Sequence, residues 1–309
     1  MTKEDRKVRN FKMKWILYAF LLIFVLYLVI QAVRCIQGIN EAREKINSYK
    51  VKTAELSYGP MTYIDEGEGE VILSVHGLFG GYDQAYENIK NRIGQNRLLA
   101  PSRFGYLGSA VLGDGTPKEQ AAAYVELLDH LGIDQVFILG TSAGGTPAIR
   151  FALDYPERVK GLILYCSAMP VTEKPEKFLE YQAAPEPLLS DYAMYLISPL
   201  LPSLFGMPAS TVRTIQPIAD RKTGVLLDGK FTNPDMERNF DQYPIETLKV
   251  PVLILHSEDD PVASFEKVRN AQHRFPILTL VTFPVGGHMM VGHRAEIDKA
   301  LDDFINQNQ

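Results

Sequence analysis

Residues 135–155 read QVFILGTSAGGTPAIRFALDY: an apolar run, a small-residue turn, then a helical pattern. The run Gln135–Leu139 is short and continuously apolar, the signature of a strand covered on both faces. The pattern over Ala143–Tyr155 predicts a helix. Between them, Gly140-Thr141-Ser142-Ala143-Gly144 matches G-x-S-x-G. As a pentapeptide this carries little information, but a strand-to-helix turn is the setting in which such a serine becomes a nucleophile. A serine in so tight a turn is held in a strained backbone conformation, and side chains two residues away on either side would collide, hence Gly140 and Gly144. The helix N-terminus lies beneath the hydroxyl, so the unpaired N–H of Ala143 can donate to a developing oxyanion. The plainer alternative is a helix N-cap serine.

Working outward, further strands are expected at Glu55–Ile64, Val71–Val75, Arg97–Ala100, Gly161–Tyr165, Pro251–Leu255 and Leu278–Phe283. Helices are expected at Pro117–Leu131, Ser264–Phe275 and Arg294–Asn306. Strand–helix alternation with short turns implies a mostly parallel sheet with helices on both sides, an α/β fold. The alternation stops between Cys166 and Leu248, where Pro170, Pro175, Pro185, Pro187, Pro199, Pro202, Pro208 and Pro217 punctuate short helical pieces. This stretch reads as an insertion in the sheet fold.

Composition agrees with a folded enzyme-sized domain. The chain has 309 residues, 46% hydrophobic and 22% charged, with fifteen Tyr and fifteen Phe to bury. Disorder is excluded on that ground. A net charge of −5, with no concentrated basic face beyond the first residues, argues against a nucleic-acid partner. The two cysteines, Cys35 and Cys166, are not expected to pair, and no Cys/His cluster suggests a metal site.

From Trp15 to Val33 the run WILYAFLLIFVLYLVIQAV contains no charge and is apolar on every face. As a helix it would be roughly 28 Å long, close to the hydrocarbon thickness of a bilayer. A cleavable signal peptide would have a shorter apolar region and a small-residue cleavage site, whereas the sequence AVRC places Arg34 there. The expectation is an uncleaved single-pass membrane anchor. Lys3, Arg6, Lys7, Arg9, Lys12 and Lys14 precede it; Arg34, Arg43, Lys45, Lys50 and Lys52 follow. That bias points to an N-terminus in the cytoplasm and the large domain outside it. The expected organisation is a basic tail (1–14), an anchor (15–34), a helix-prone stalk (35–51), a core (52–165 and 249–309) and an inserted cap (166–248).

Over about residues 55–165 and 249–306 the chain resembles the α/β-hydrolase superfamily. His76-Gly77-Leu78-Phe79-Gly80-Gly81 is similar to the family's HG-x oxyanion loop. The stretch 101–109, PSRFGYLGS, is similar to its P-D-x-x-G-x-G-x-S loop, with Ser102 and Leu107 departing from the common residues. Tyr155-Pro156-Glu157-Arg158-Val159 before GLILY matches the run that follows the nucleophile helix. The resemblance implies a triad of Ser142, Asp260 and His288. His288 stands in the Gly-rich loop after strand LVTF, with His293 as the rival base. Asp260 stands in LHSEDDPV, where Ser257 replaces the usual Gly, and Asp259 is the rival acid. Leu78 would supply the second oxyanion N–H, with Phe79 as the alternative. His76 would pack beneath its loop and His256 would be structural.

Family members that open epoxides or displace halide carry Asp at the nucleophile position. Ser142 therefore implies acyl transfer to water through an acyl-enzyme, with neither metal nor cofactor required. The apolar stretch YAMYLISPLLPSLFGM (Tyr192–Met207), with Phe178, Tyr181, Phe231, Phe240 and Tyr243, suggests a lid over a hydrophobic acyl pocket. The leading expectation is a membrane-anchored carboxylesterase or lipase acting on a small-molecule or lipid-like ester. An iminopeptidase, lactonase, thioesterase or C–C bond hydrolase would use the same three residues, and a non-catalytic ligand-binding module is the reading from another class.

Overall fold

The computed structural model describes residues 3–207 and 214–309, with side chains from Phe11 onward. Pro208, and the side chains of Lys3, Arg6, Lys7 and Arg9, lie outside the described residues. After a long helix α1 (Lys3–Asn47) come β1 (Lys52–Leu56), β2 (Gly59–Glu66), β3 (Val71–Val75), α2 (Tyr82–Ile89) and β4 (Arg97–Pro101). Then follow α3 (Pro117–His130), β5 (Val136–Thr141), α4 (Gly145–Asp154) and β6 (Val159–Tyr165). Short helices α5 (Asp191–Ile197), α6 (Leu201–Phe205), α7 (Lys222–Leu227) and α8 (Asp235–Arg238) intervene before β7 (Val252–Ser257). The chain ends with α9 (Phe265–Ala271), β8 (Leu278–Phe283) and α10 (Arg294–Gln307).

The strands form one eight-stranded sheet in the order β1-β2-β4-β3-β5-β6-β7-β8. From β4 to β8 every pairing is parallel, while β2 pairs antiparallel with both β1 and β4. The expected α/β-hydrolase architecture is thus observed. Its two-faced burial follows from the period-2 geometry of strands. Leu73, Ile138 and Ile254 face α3, α4 and α9, whereas Ile72, Phe137 and Leu253 face α2 and α10.

Two details differ from the sequence reading. The expected single strand Glu55–Ile64 is a hairpin, because Ser57-Tyr58-Gly59 makes a turn with Gly59 at φ 93°, a conformation an L-residue resists. The α2 helix had no expectation at all; its eight residues follow the Gly80-Gly81 loop without a side-chain cap to announce them. By contrast α3 begins where expected, with Thr116 and Glu119 forming a reciprocal capping box.

The α1 helix is continuous from the basic tail through the apolar run into the stretch read as a stalk. Residues 15–30 are exposed, and the helix is long and apolar enough to cross a bilayer by length and composition. Its C-terminal turns are not a free tether. Cys35 is buried, Arg43 pairs with Asp220 at 3.7 Å, and Lys45 approaches Glu87 at 3.7 Å. Just beyond, the Tyr49 hydroxyl donates to Glu87 Oε1 at 2.7 Å. Both cysteines are unpaired.

Candidate active site

Ser142, Asp260 and His288 each follow the C-terminal end of a parallel strand, β5, β7 and β8 respectively, on one edge of the sheet. Ser142 adopts φ 52°, the strained conformation the turn demands of a residue that is not glycine. The flanking glycines explain themselves by distance. A Cβ at Gly140 would lie 2.7 Å from Gly145 Cα, and one at Gly144 would lie 2.4 Å from the Val75 carbonyl oxygen. Close approach to the start of α4 at Gly140, and to the end of β3 at Gly144, therefore excludes a side chain at either position.

His288 Nε2 lies 3.0 Å from Ser142 Oγ, and His288 Nδ1 lies 2.8 Å from Asp260 Oδ2. The carboxylate is fixed on its other oxygen by the N–H groups of Val262 and Ala263, at 2.8 and 2.9 Å. Burial pushes the Asp260 pKa up, but hydrogen bonds from His256, His288 and Val262 outweigh it and hold the carboxyl well below the usual range. An ionised acid that accepts from Nδ1 leaves Nε2 free to take the serine proton. The rival acid has different partners. Asp259 accepts from the Gly286 and Gly287 N–H groups at 3.2 and 2.8 Å, which holds the His288 loop in place. The rival base His293 lies apart from this relay, stacked on Phe283 with Nε2 2.9 Å from the Val285 carbonyl oxygen.

His256 has more to do with the site than its position before the acid suggested. It is fully buried, and its Nε2 lies 2.6 Å from the Ala263 carbonyl oxygen and 3.3 Å from Asp260 Oδ2. Asp260 thus sits between two imidazoles. His256→Leu is expected to lower kcat about tenfold, the worth of one charge-assisted hydrogen bond of about 1.4 kcal/mol, with KM unchanged. Steady-state kinetics on a soluble ester checks this; an unaltered kcat would make His256 a packing residue only.

The loop after β3 lies against the serine turn. His76 is fully buried, with Nδ1 2.8 Å from the Gly77 carbonyl oxygen and Nε2 accepting from the Arg103 N–H at 2.9 Å. Burial, reinforced by the charges of Arg103 and Arg221, drives its pKa well down, so it stays neutral beneath the loop. The Leu78 N–H makes no backbone hydrogen bond among the described residues, and Ala143 lies in the first helical turn, where N–H groups have no intrahelical partner.

Sequence reasoning missed four charged residues around this loop. Arg103 is fully buried; it donates to Asp228 through both Nη atoms (Nη1 at 2.6 Å) and to the Gly77 carbonyl at 3.2 Å. The Tyr106 hydroxyl also donates to Asp228, at 2.5 Å. Arg221, also fully buried, donates to the Gly80 carbonyl and pairs with Asp83 at 2.7 Å. Arg221 and Asp228 come from the 166–248 segment, so two buried ion pairs join that segment to the stretch after β4 and to α2. Burial opposes the Arg103 charge, but the Asp228 carboxylate outweighs it and raises the guanidinium pKa. Among the described residues no His/Cys/Asp/Glu group is arranged to hold a metal ion.

A sequence profile for the alpha/beta hydrolase family matches residues 72–300. The chain belongs to the α/β-hydrolase family. Among curated relatives of this α/β-hydrolase, a 2-hydroxy-6-oxo-6-phenylhexa-2,4-dienoate hydrolase from Burkholderia cepacia is 35% identical over 106 residues, 32% of this chain and 37% of the relative. An uncharacterized hydrolase from Bacillus subtilis is 36% identical, over 37% of this chain and 40% of its own. The chain therefore spans about two fifths of the length of these relatives. Lipase 1 of Psychrobacter immobilis is 25% identical over 88% of both chains. Among solved structures, a thermophilic esterase from Thermogutta terrifontis superposes with a TM-score of 0.66 at 19% identity, covering 84% of this chain and 98% of its own. A meta-cleavage product hydrolase (CumD) gives 0.63 at 22% identity, covering 83% and 98%. These structural likenesses concern the fold of the α/β-hydrolase.

Proposed function

We propose that this α/β-hydrolase is a membrane-anchored serine hydrolase that cleaves carboxylic esters with a hydrophobic acyl group. The observation that carries this reading is the continuous relay from Ser142 Oγ through His288 to Asp260, at 3.0 and 2.8 Å. His288 takes the Ser142 proton as Oγ attacks the ester carbonyl carbon. The tetrahedral oxyanion is held by the N–H groups of Leu78 and Ala143. His288 then delivers the proton to the leaving alkoxide, and the acyl-enzyme remains. Water, activated by the same imidazole, releases the acid and restores Ser142. Residues 15–33 of α1 act as the anchor, with the catalytic domain outside the cytoplasm, and residues 166–248 act as the cap.

Apolar lining supports a hydrophobic substrate. Leu78 and Phe79 pack against a buried cluster of Tyr106, Met194, Leu201, Ile215 and Val225, so the cap face nearest the oxyanion loop is apolar. An ester series tests this directly. With p-nitrophenyl esters of rising chain length, kcat/KM is expected to climb by about threefold to fourfold per added methylene until the pocket is filled, since each buried CH₂ contributes about 0.8 kcal/mol. A flat or falling series would sink the hydrophobic-acyl reading.

A second reading has a specific basis: curated relatives include 2-hydroxy-6-oxo dienoate hydrolases, which are named for a carbon-skeleton substrate bearing a carboxylate. Turnover of such a dienoate in preference to every ester would favour C–C bond hydrolysis by the same relay.

A further inference from the structure

The outward surface of α5 and α6 has the reverse of the usual solvent-facing pattern. Tyr192 and Leu196 of α5, Leu200 at the turn that opens α6, and Leu204 of α6 are 40%, 46%, 60% and 61% exposed, and Phe205 adjoins them. The opposite side, Met194 and Leu201, is buried on the cluster beneath. From Tyr192 to Met207 the sequence contains no charged residue. A surface helix of a water-soluble domain normally turns charges outward; apolar residues on the outer face are what a helix lying in a membrane interface presents.

The position of this stripe is set by α1. Cys35 of α1 is buried, and its Sγ lies 4.0 Å from the backbone carbonyl of Asp191, the first residue of α5. Further along α1, Arg43 meets Asp220 at 3.7 Å. Cys35 follows the end of the apolar run at Val33 by two residues, roughly 3 Å of helix rise. The N-terminus of α5 is therefore level with the place where a spanning α1 leaves the hydrocarbon. At its other end the stripe meets the active site. Gly206 closes α6 at φ 57°, and a Cβ there would lie 3.0 Å from Gly287 Cα and 3.4 Å from the His288 backbone nitrogen.

We infer that the outward face of α5 and α6 is seated in the headgroup–acyl boundary of the bilayer that α1 spans, so that the ester reaches Ser142 from lipid. The inference rests on the proposed anchor and ester hydrolysis and specifies where substrate comes from. Lipid is the occupant because the stripe is held against the helix that crosses the lipid, at the depth where interfacial helices lie.

The test uses the full chain in phosphatidylcholine/phosphatidylglycerol vesicles. Trp15 is the only tryptophan, so Trp15→Phe with Leu200→Trp places a single reporter on the stripe. Quenching of its fluorescence by brominated phosphatidylcholine, with little quenching by acrylamide, is expected; strong acrylamide quenching with no bromolipid effect overturns the seat. Independently, in Leu196→Ser/Leu200→Ser/Leu204→Ser hydrolysis of a long-chain monoacylglycerol dissolved in vesicles should fall about tenfold further than hydrolysis of the same monoacylglycerol offered as monomer in solution. An equal change in both, or none, counts against the inference. Should the protein hydrolyse no ester yet show bromolipid quenching at position 200, the seat stands and ester hydrolysis falls.

Discussion

Ser142→Ala is expected to abolish covalent labelling by a fluorophosphonate and to reduce ester turnover by roughly a million-fold. The size of the effect follows from what Oγ does: without it no acyl-enzyme forms, and only the oxyanion donors and substrate binding remain. His288→Ala should cost nearly as much. The imidazole that lies 3.0 Å from Oγ is then gone, and a serine hydroxyl without a base is a poor nucleophile at neutral pH. The two losses should not add, since the residues act as one unit; the double variant should resemble either single one. Asp260→Asn should lose roughly ten-thousand-fold, because the amide no longer enforces the Nδ1-protonated tautomer. Gel-based labelling and kcat/KM on a soluble ester read all of these. An unlabelled wild-type protein, or a labelled Ser142→Ala, would refute the nucleophile assignment.

Asp228→Ala is expected to destabilise the fold by about 3–5 kcal/mol, which for a chain of this size corresponds to a melting-temperature drop of roughly 10 °C. The cause is the partner left behind. Arg103 is fully buried, and its charge is balanced only by Asp228 among the carboxylates it contacts. Removing the carboxylate leaves a guanidinium in a site without water-like screening, and also frees the Tyr106 hydroxyl. Arg103→Met with Asp228→Leu removes both charges and should recover most of the stability, since an apolar pair avoids the desolvation cost altogether. Activity should not recover with it. Arg103 also donates to the Gly77 carbonyl at 3.2 Å, so the loop bearing Leu78 would lose a support. Thermal denaturation of the two variants side by side decides the point, and a loss below about 1 kcal/mol for Asp228→Ala would show that water reaches Arg103.

Much of this was legible in the residues themselves. The parallel strands were readable because both faces are covered, which makes each one a short apolar run. The serine turn was readable because its requirements are local: Gly140, Ser142 and Gly144 must lie within five residues for steric reasons alone. Helices with strong caps, such as α3 with its Thr116–Glu119 box, declared their starts. The uncapped α2 did not, and the Glu55–Ile64 run concealed a hairpin because alternation continues on both sides of its turn.

The amino-acid sequence alone determined an α/β sheet of parallel strands, the strand-to-helix setting of Ser142, and a span-length apolar run at 15–33, because each depends on residues adjacent in the chain. Only the tertiary structure shows the different surroundings of Asp259 and Asp260. Their side chains are neighbours in sequence, but one is met by the loop N–H groups and the other by an imidazole. It likewise decided that His256 touches the acid, that Arg103 finds Asp228 across more than a hundred residues, and that α1 docks on α5 at Cys35. Such pairings are set by which surfaces the sheet and its insertion bring within a few ångströms, and no periodicity in the chain records that distance.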